Sequence, residues 1–456
     1  MLLHTRSIII VTILYTLLTA CSSTKEVSNS SNPNDYTNTL SISSSEYPSK
    51  AVIVTNISTE SNSNINLTNL SSKIILPKES EVKLPYHFIS PLNISNLFEE
   101  KEENPNLKKN ILKNTTTTKN FFVFNFENNT NYIVTANLKH TGTHCLIYAE
   151  ENDTINTESW ENIASFFDNT IYPNATNILN NTPTDVDNNN KVILLYYNMN
   201  FESENNALLG YFWSYDLFTS ESLNYNFTNE AEILYLNINE GITSTKNKET
   251  IAHELTHLIS LSKRIKDSNT LSQYDIWIEE GIASGASGFL INEKITDYIN
   301  YYGLNNTDNE LRNGLGLLIS NTTNYSAWNY GLSFAFMEYC RLQYNQDGSF
   351  YGLLINNYSN NDYTDIFSVL TSLDSTKFES FEEIIPYFHA ANVVNQTTGL
   401  LGYKGYYTIS ALEPSSTNLE IGSGGAIYYL SNIENLSNFT NYDQYDDDLL
   451  FILLNH

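Results

Sequence analysis

Residues 253–257 read His-Glu-Leu-Thr-His, and this pentapeptide constrains the chain more than any other stretch of it. Two histidines four apart face the same way on an α-helix, about one turn from each other. Imidazoles so placed can grip one tetrahedral Zn²⁺. Glu254, next to the first of them, reaches a metal-bound water as a general base. The flanks agree with a helix. Lys248–Ala252 and Leu258–Leu261 hold neither Pro nor Gly, and Ile251, Leu255, Leu258 and Ile259 recur at helical spacing as a core stripe beside the histidines. Glu249 near the start suits the helix dipole.

Structural zinc sites use four protein ligands, whereas catalytic ones use three and keep a position open for water. Downstream, residues 274–283 read Tyr-Asp-Ile-Trp-Ile-Glu-Glu-Gly-Ile-Ala. Taken by themselves, Glu279 and Glu280 are an acidic pair at the start of a second helix. The Trp-hydrophobe-x-Glu-Gly-x-Ala pattern after His-Glu-x-x-His resembles the mark of the gluzincin metallopeptidases. With 23 positions from His257 to Glu280, the chain is similar to the hyicolysin-type neutral metallopeptidases in particular. The resemblance spans roughly residues 115–400 and is sharpest at 250–284. It implies an α+β fold with a thermolysin-like zincin catalytic domain and one catalytic Zn²⁺. It makes Glu280 the third ligand and Glu279 its exposed neighbour. It also implies that a strand at Glu232–Ile238 forms the edge along which a peptide substrate lies.

A second match begins at Trp328-Asn329-Tyr330-Gly331. Gluzincins often open a helix behind the site with a Tyr-Gly element, and in some relatives a Tyr there bonds the oxyanion. Tyr330 is the first choice for that role and Tyr325 the second, although in a chain with 32 Tyr packing is the default. The mechanism implied is peptide-bond hydrolysis by a zinc-activated water, with Glu254 taking the proton and returning it to the leaving amine. Ser284, one turn beyond Glu280, is a candidate support for the site, and His389 is either a further oxyanion donor or a core histidine.

Two other readings compete with a zinc endopeptidase. One is a surface adhesin or structural lipoprotein on an inactive gluzincin fold; the intact Glu254 argues against it. The other is a zinc aminopeptidase, which needs an acidic anchor for the substrate amine. Glu230, Glu232 and Glu240 lie in the right stretch, but no Gly-x-Met-Glu-Asn-type motif is present. His140 and His144 do not share a helix face across Gly142 and read as surface or satisfied histidines. Asp185, Asp187 and Asn189 alternate ahead of a strand, as a Ca²⁺ loop or as an Asx-rich turn.

The ends of the chain bear on location. Arg6, an apolar stretch from Ser7 to Thr16, and Leu18-Thr19-Ala20-Cys21 resemble a bacterial lipoprotein signal (1–20) with Cys21 lipidated. This implies a chain anchored by lipid on the cell envelope, facing the periplasm or the exterior. Residues 21–114, rich in Ser, Asn and Thr, read as a largely disordered tether. A β-rich part is expected over 115–200, the catalytic domain over 201–400, and a small C-terminal β unit over 401–456. Cys145 and Cys340 are too few for a disulfide scaffold. A net charge of −28 and a pI near 4.5 exclude nucleic acid as a natural partner, leaving proteins or peptides as substrates.

Overall fold

Val192–Tyr197 reads Val-Ile-Leu-Leu-Tyr-Tyr and is buried at every position, as a strand covered on both faces must be. The structure, a computed structural model, describes residues 39–43, 51–66, 84–89, 117–126, 128, 130–150, 153–199, 206–223, 225–268, 273–305, 309–320, 325–416, 418–430 and 448–455. The lipidation segment at residues 1–21 lies outside these. In chain order the strands are β1 (Thr39–Ser43), β2 (Ala51–Asn56), β3 (Ser63–Asn66), β4 (Leu84–Ile89), β5 (Thr118–Asn125), β6 (Thr130–Thr141), β7 (Cys145–Glu150), β8 (Val192–Tyr197), β9 (Asn206–Phe212), β10 (Ile233–Asn237), β11 (Asn418–Ile421), β12 (Ala426–Tyr429) and β13 (Leu449–Asn455). The main helices are α1 (Thr157–Phe166), α2 (Tyr172–Ile178), α3 (Thr245–Ser268), α4 (Ile276–Ile291), α5 (Ala327–Gln343), α6 (Ser349–Asn356), α7 (Tyr363–Leu373) and α8 (Phe381–Val394).

Seven strands form one sheet in the order β4-β9-β10-β8-β7-β6-β5. β7, β8 and β10 run parallel; α1 and α2 lie in the crossover from β7 to β8, and β9 in the connection from β8 to β10. The period of two along β8 divides its side chains between two cores. Val192, Leu194 and Tyr196 join the helices, while Ile193, Leu195 and Tyr197 join an aromatic layer with Tyr211, Trp213 and Tyr235. The helical face holds α3, α4 and α5, and α4 packs against both of the others.

Three expectations are corrected here. First, the strand at Ile233–Asn237 is not an edge: β8 flanks it on one side and β9 on the other. The outer edge of β9 is itself covered by β4, which also packs on α5. Second, residues 21–114 are not a tether throughout. Ala51–Asn56 is a buried strand because Ala-Val-Ile-Val is an apolar β-branched run. Third, the C-terminal strands do not make a unit of their own. β13 and β12 both pair with β2, and β1 adds to β13, so residues from the two ends share one four-stranded sheet. Within the expected C-terminal β unit, residues 403–411 form only a single bridge, between Tyr403 and Tyr407.

That sheet rests on α8 through His389. Its two ring nitrogens meet the Tyr428 hydroxyl at 2.8 Å and the Gly424 carbonyl at 3.0 Å, so the ring is a satisfied core group facing β12. Burial pushes its pKa from 6.5 down to about 4, against the opposing pull of the Gly424 carbonyl. The unfolded chain therefore takes up this proton near pH 6.5 and the folded chain only near 4. Stability is complete above that window and falls as the pH drops through it, by roughly 3 kcal/mol from this group. Urea unfolding at several pH values between 7 and 4.5 should show this slope reduced in His389→Gln. An unchanged slope would remove His389 as its source.

Candidate metal centre

The site is built where three helices meet. Ser244 precedes α3 and accepts the Asn247 amide N–H at 3.1 Å, capping the helix start. The Asn247 side chain donates to the Ile242 carbonyl at 2.6 Å and to the Tyr196 hydroxyl at 3.0 Å, which ties α3 to β8. Ile251, Leu255, Leu258 and Ile259 enter the core as their spacing predicts. His253, Glu254 and His257 are buried beside them. α4 supplies Glu280, and Gly281 explains how closely α4 approaches α5. A Cβ at Gly281 would lie 2.7 Å from Met337 Cγ and 3.2 Å from the Ser333 carbonyl. Only a residue without a side chain fits there.

The donor atoms converge. His253 Nε2 lies 3.1 Å from His257 Nε2 and 3.0 Å from Glu280 Oε2, and His257 Nε2 lies 3.7 Å from the same oxygen. Ligands of a tetrahedral Zn²⁺ at normal bond lengths stand about 3.3–3.5 Å apart. The triangle of two imidazole nitrogens and one carboxylate oxygen therefore has the right chemistry and nearly the right edges for one such ion. His253, His257 and Glu280 form one of two groups among the described residues whose donor atoms cluster in this way.

The protonation pattern follows from burial and these contacts. Burial pushes His253 down to about 4, opposed by Glu280. Burial alone would do the same to His257, but the carboxylates of Glu279 and Glu280 raise it to about 10. Burial would raise Glu280, yet the two imidazoles hold it below the usual carboxylate range. Glu254 goes the other way. Its burial drives the carboxyl well above its ordinary value, with His257 and the Phe212 backbone N–H as the opposing influences. The Phe212 bond comes from the end of β9, so that strand runs up to the base.

Glu279 corrects a prediction. It is buried, not exposed. Its Oε1 meets Arg264 Nη2 at 3.0 Å and accepts the Tyr274 N–H at 3.1 Å. Its Oε2 accepts the Ser260 hydroxyl at 3.4 Å and faces His257 Nδ1 at 4.0 Å. Burial acts to raise its pKa, but Arg264 and His257 hold it lowered. The reason is that α4 is enclosed on nearly every side, so neighbouring positions both point inward. The sequence held a signal for this: Ser260 and Arg264 follow His257 by three and seven residues and lie on its stripe of α3.

Tyr330 does stand at the site. Its hydroxyl donates to Glu280 Oε1 at 3.1 Å, on the carboxylate oxygen turned away from His253. Tyr325 packs edge-on to Tyr330 at 5.2 Å between ring centroids, with its hydroxyl 2.9 Å from that of Ser333. Ser284 is buried on α4. His144 stacks on Tyr172 at 4.2 Å, well apart from the donor triangle in its partners. Two of the three candidate amine anchors are engaged elsewhere: Glu230 accepts the Ser220 N–H at 2.8 Å, and Glu232 lies with Asp185 and Asp187. Cys145 and Cys340 are both buried and unpaired with each other.

The chain has a curated relative. Over 305 residues, 65% of this chain and 67% of the other, it is 24% identical to the neutral metalloprotease ShpI of Staphylococcus hyicus. No family model matches the chain. The distant likeness and the α+β architecture around a His-His-Glu triangle together support a metal-binding protease.

Proposed function

We propose that this chain is a zinc-dependent endopeptidase of the bacterial cell envelope, held there by a lipid on Cys21. The observation that carries the reading is the convergence of His253 Nε2, His257 Nε2 and Glu280 Oε2 to separations of 3.0–3.7 Å beside the buried Glu254. His253, His257 and Glu280 would hold the ion. A zinc ion so bound supplies a water of near-neutral pKa and a Lewis acid for the substrate carbonyl.

The chain's own groups supply the rest. Glu254 takes the proton of the attacking water and later gives it to the leaving amine. It must start as the carboxylate, and its buried setting, which raises its proton affinity, suits it to accept that proton and hold it between the two steps. Tyr330 fixes the second oxygen of Glu280 and so fixes which oxygen faces the histidines. An endopeptidase is preferred to an aminopeptidase because Glu230 and Glu232 are committed to other partners.

The test is zinc content together with casein cleavage by the full chain. The expected result is one zinc per chain, cleavage lost on chelation by 1,10-phenanthroline, and recovery on adding zinc. A protein that binds no zinc at micromolar concentration would overturn the site. One that binds zinc but cleaves neither casein nor a mixed peptide library would overturn the enzyme.

A further inference from the structure

A second group of carboxylates sits at the loop joining α2 to β8. Carboxylate oxygens of Asp185, Asp187 and Glu232 lie within 4.8 Å of one another. The loop supplies two of them. Glu232 immediately precedes β10, and the parallel pairing of β10 with β8 brings it alongside. Its side chain is buried, at 1% exposure. Oε1 accepts the Thr184 hydroxyl at 2.7 Å and the Val186 N–H at 3.0 Å, whereas Oε2 is shut off from water and meets no donor. Among the described residues no lysine forms an ion pair with Glu232, although Lys266 acts on it, and Lys119 on Asp187, from further off. Lys191 donates to the Gly142 and Thr143 carbonyls, and Lys266 to Thr182 and Pro183. A buried carboxylate oxygen with no donor, close to two further carboxylates, is costly unless a cation joins them.

The donor chemistry selects the cation. All three groups offer oxygen and none offers nitrogen or sulfur, which favours a hard ion. The loop has the matching rhythm. Asp185, Asp187 and Asn189 occupy alternate positions and Lys191 follows with its carbonyl, as the first, third, fifth and seventh positions do in loops that wrap Ca²⁺. Asn188 and Asn190 take the left-handed backbone, with φ of 59° and 56°, which curls the loop. In a continuous Ca²⁺ loop a distal Glu closes the shell; here Glu232 would do so from a separate strand.

We infer that Asp185, Asp187 and Glu232 form a Ca²⁺ site separate from the histidine centre. Its work is mechanical. The Thr184 N–H donates to the Ser262 hydroxyl of α3 at 3.0 Å, and Lys266 of α3 grips the carbonyls at 182 and 183. Calcium therefore clamps the loop, the start of β10 and the rear of the helix that carries His253 and His257. The site does not depend on the peptidase reading.

The experiment uses the full chain freed of metals and titrated with CaCl₂, with calorimetry and thermal unfolding as readouts. One ion should bind per chain, with a Kd on the order of 10⁻⁴–10⁻³ M. Saturating calcium should raise the Tm by several degrees. Asp187→Asn should weaken binding at least tenfold, while Glu254→Gln leaves it unchanged. Without calcium, Asp187→Asn should melt no lower than wild type, because one of three crowded charges is gone. Asp185→Asn provides the same comparison should Asp187→Asn fail to fold. Equal calcium binding by wild type and Asp187→Asn would overturn the site, and so would an equal Tm shift from MgCl₂.

Discussion

Glu254→Gln is expected to lower kcat/KM for peptide hydrolysis on the order of 10³-fold or more while leaving zinc bound. The three converging donor atoms belong to His253, His257 and Glu280, so the substitution removes no ligand. Gln keeps the size of the side chain and a carbonyl oxygen for the Phe212 N–H. What it lacks is a group that can take a proton from water and return it. The fold should not suffer. Burial already favours the uncharged carboxyl at this position, and an amide is uncharged at every pH. Zinc analysis, a Tm and the hydrolysis rate of one fluorogenic peptide decide the matter together. Wild-type turnover in the variant would remove Glu254 as the base. Loss of zinc with loss of activity would give it a part in holding the site instead.

His253, Glu254 and His257 were legible in the sequence because their information is local, whereas Glu280 was reached only through the family resemblance. One helical repeat places those three, while the Trp-x-x-Glu-Gly segment that carries Glu280 has meaning only by its likeness to the gluzincins. Strand β8 was equally plain, since six apolar residues in a row leave few alternatives. What escaped was long-range pairing. β2 is an ordinary apolar run amid Ser and Asn, and its partners β12 and β13 lie at the other end of the chain. No local pattern announces a strand whose partners are that remote. β9 was missed for a related reason. Asn-Ala-Leu-Leu-Gly-Tyr-Phe does not alternate, and Gly210 sits in its middle. A Cβ there would lie 2.7 Å from Thr250 Cγ2 of α3 and 2.7 Å from the Tyr235 carbonyl of β10, so the glycine serves the close approach of both the site helix and the neighbouring strand. Glu279 was misread because an acidic residue at a helix start is normally solvated. Only the enclosure of α4, a property of three helices at once, reverses that.

The reversal at Glu279 carries the second large effect. Arg264→Met is expected to destabilise the fold by about 3–5 kcal/mol, because it leaves a buried carboxylate without its cation. Arg264 is fully buried and stacks on Tyr274 and Tyr358, with its guanidinium carbon 4.6 and 5.0 Å from the two ring centroids. Methionine keeps much of that packing, so the loss falls mainly on the charge. Adding Glu279→Gln should then recover much of the stability, since the orphaned charge disappears with it. Zinc affinity separates a structural pair from one that serves the metal. Glu279 Oε2 faces His257 Nδ1, and a carboxylate behind a metal-binding imidazole fixes the ring and strengthens its donation. The double variant, though stable again, should bind zinc roughly 10–100-fold more weakly than wild type. Recovery of stability with wild-type zinc affinity would reduce Arg264 and Glu279 to a brace between α3 and α4. Recovery of neither would mean that the charge of Glu279 is needed for more than its pairing with Arg264.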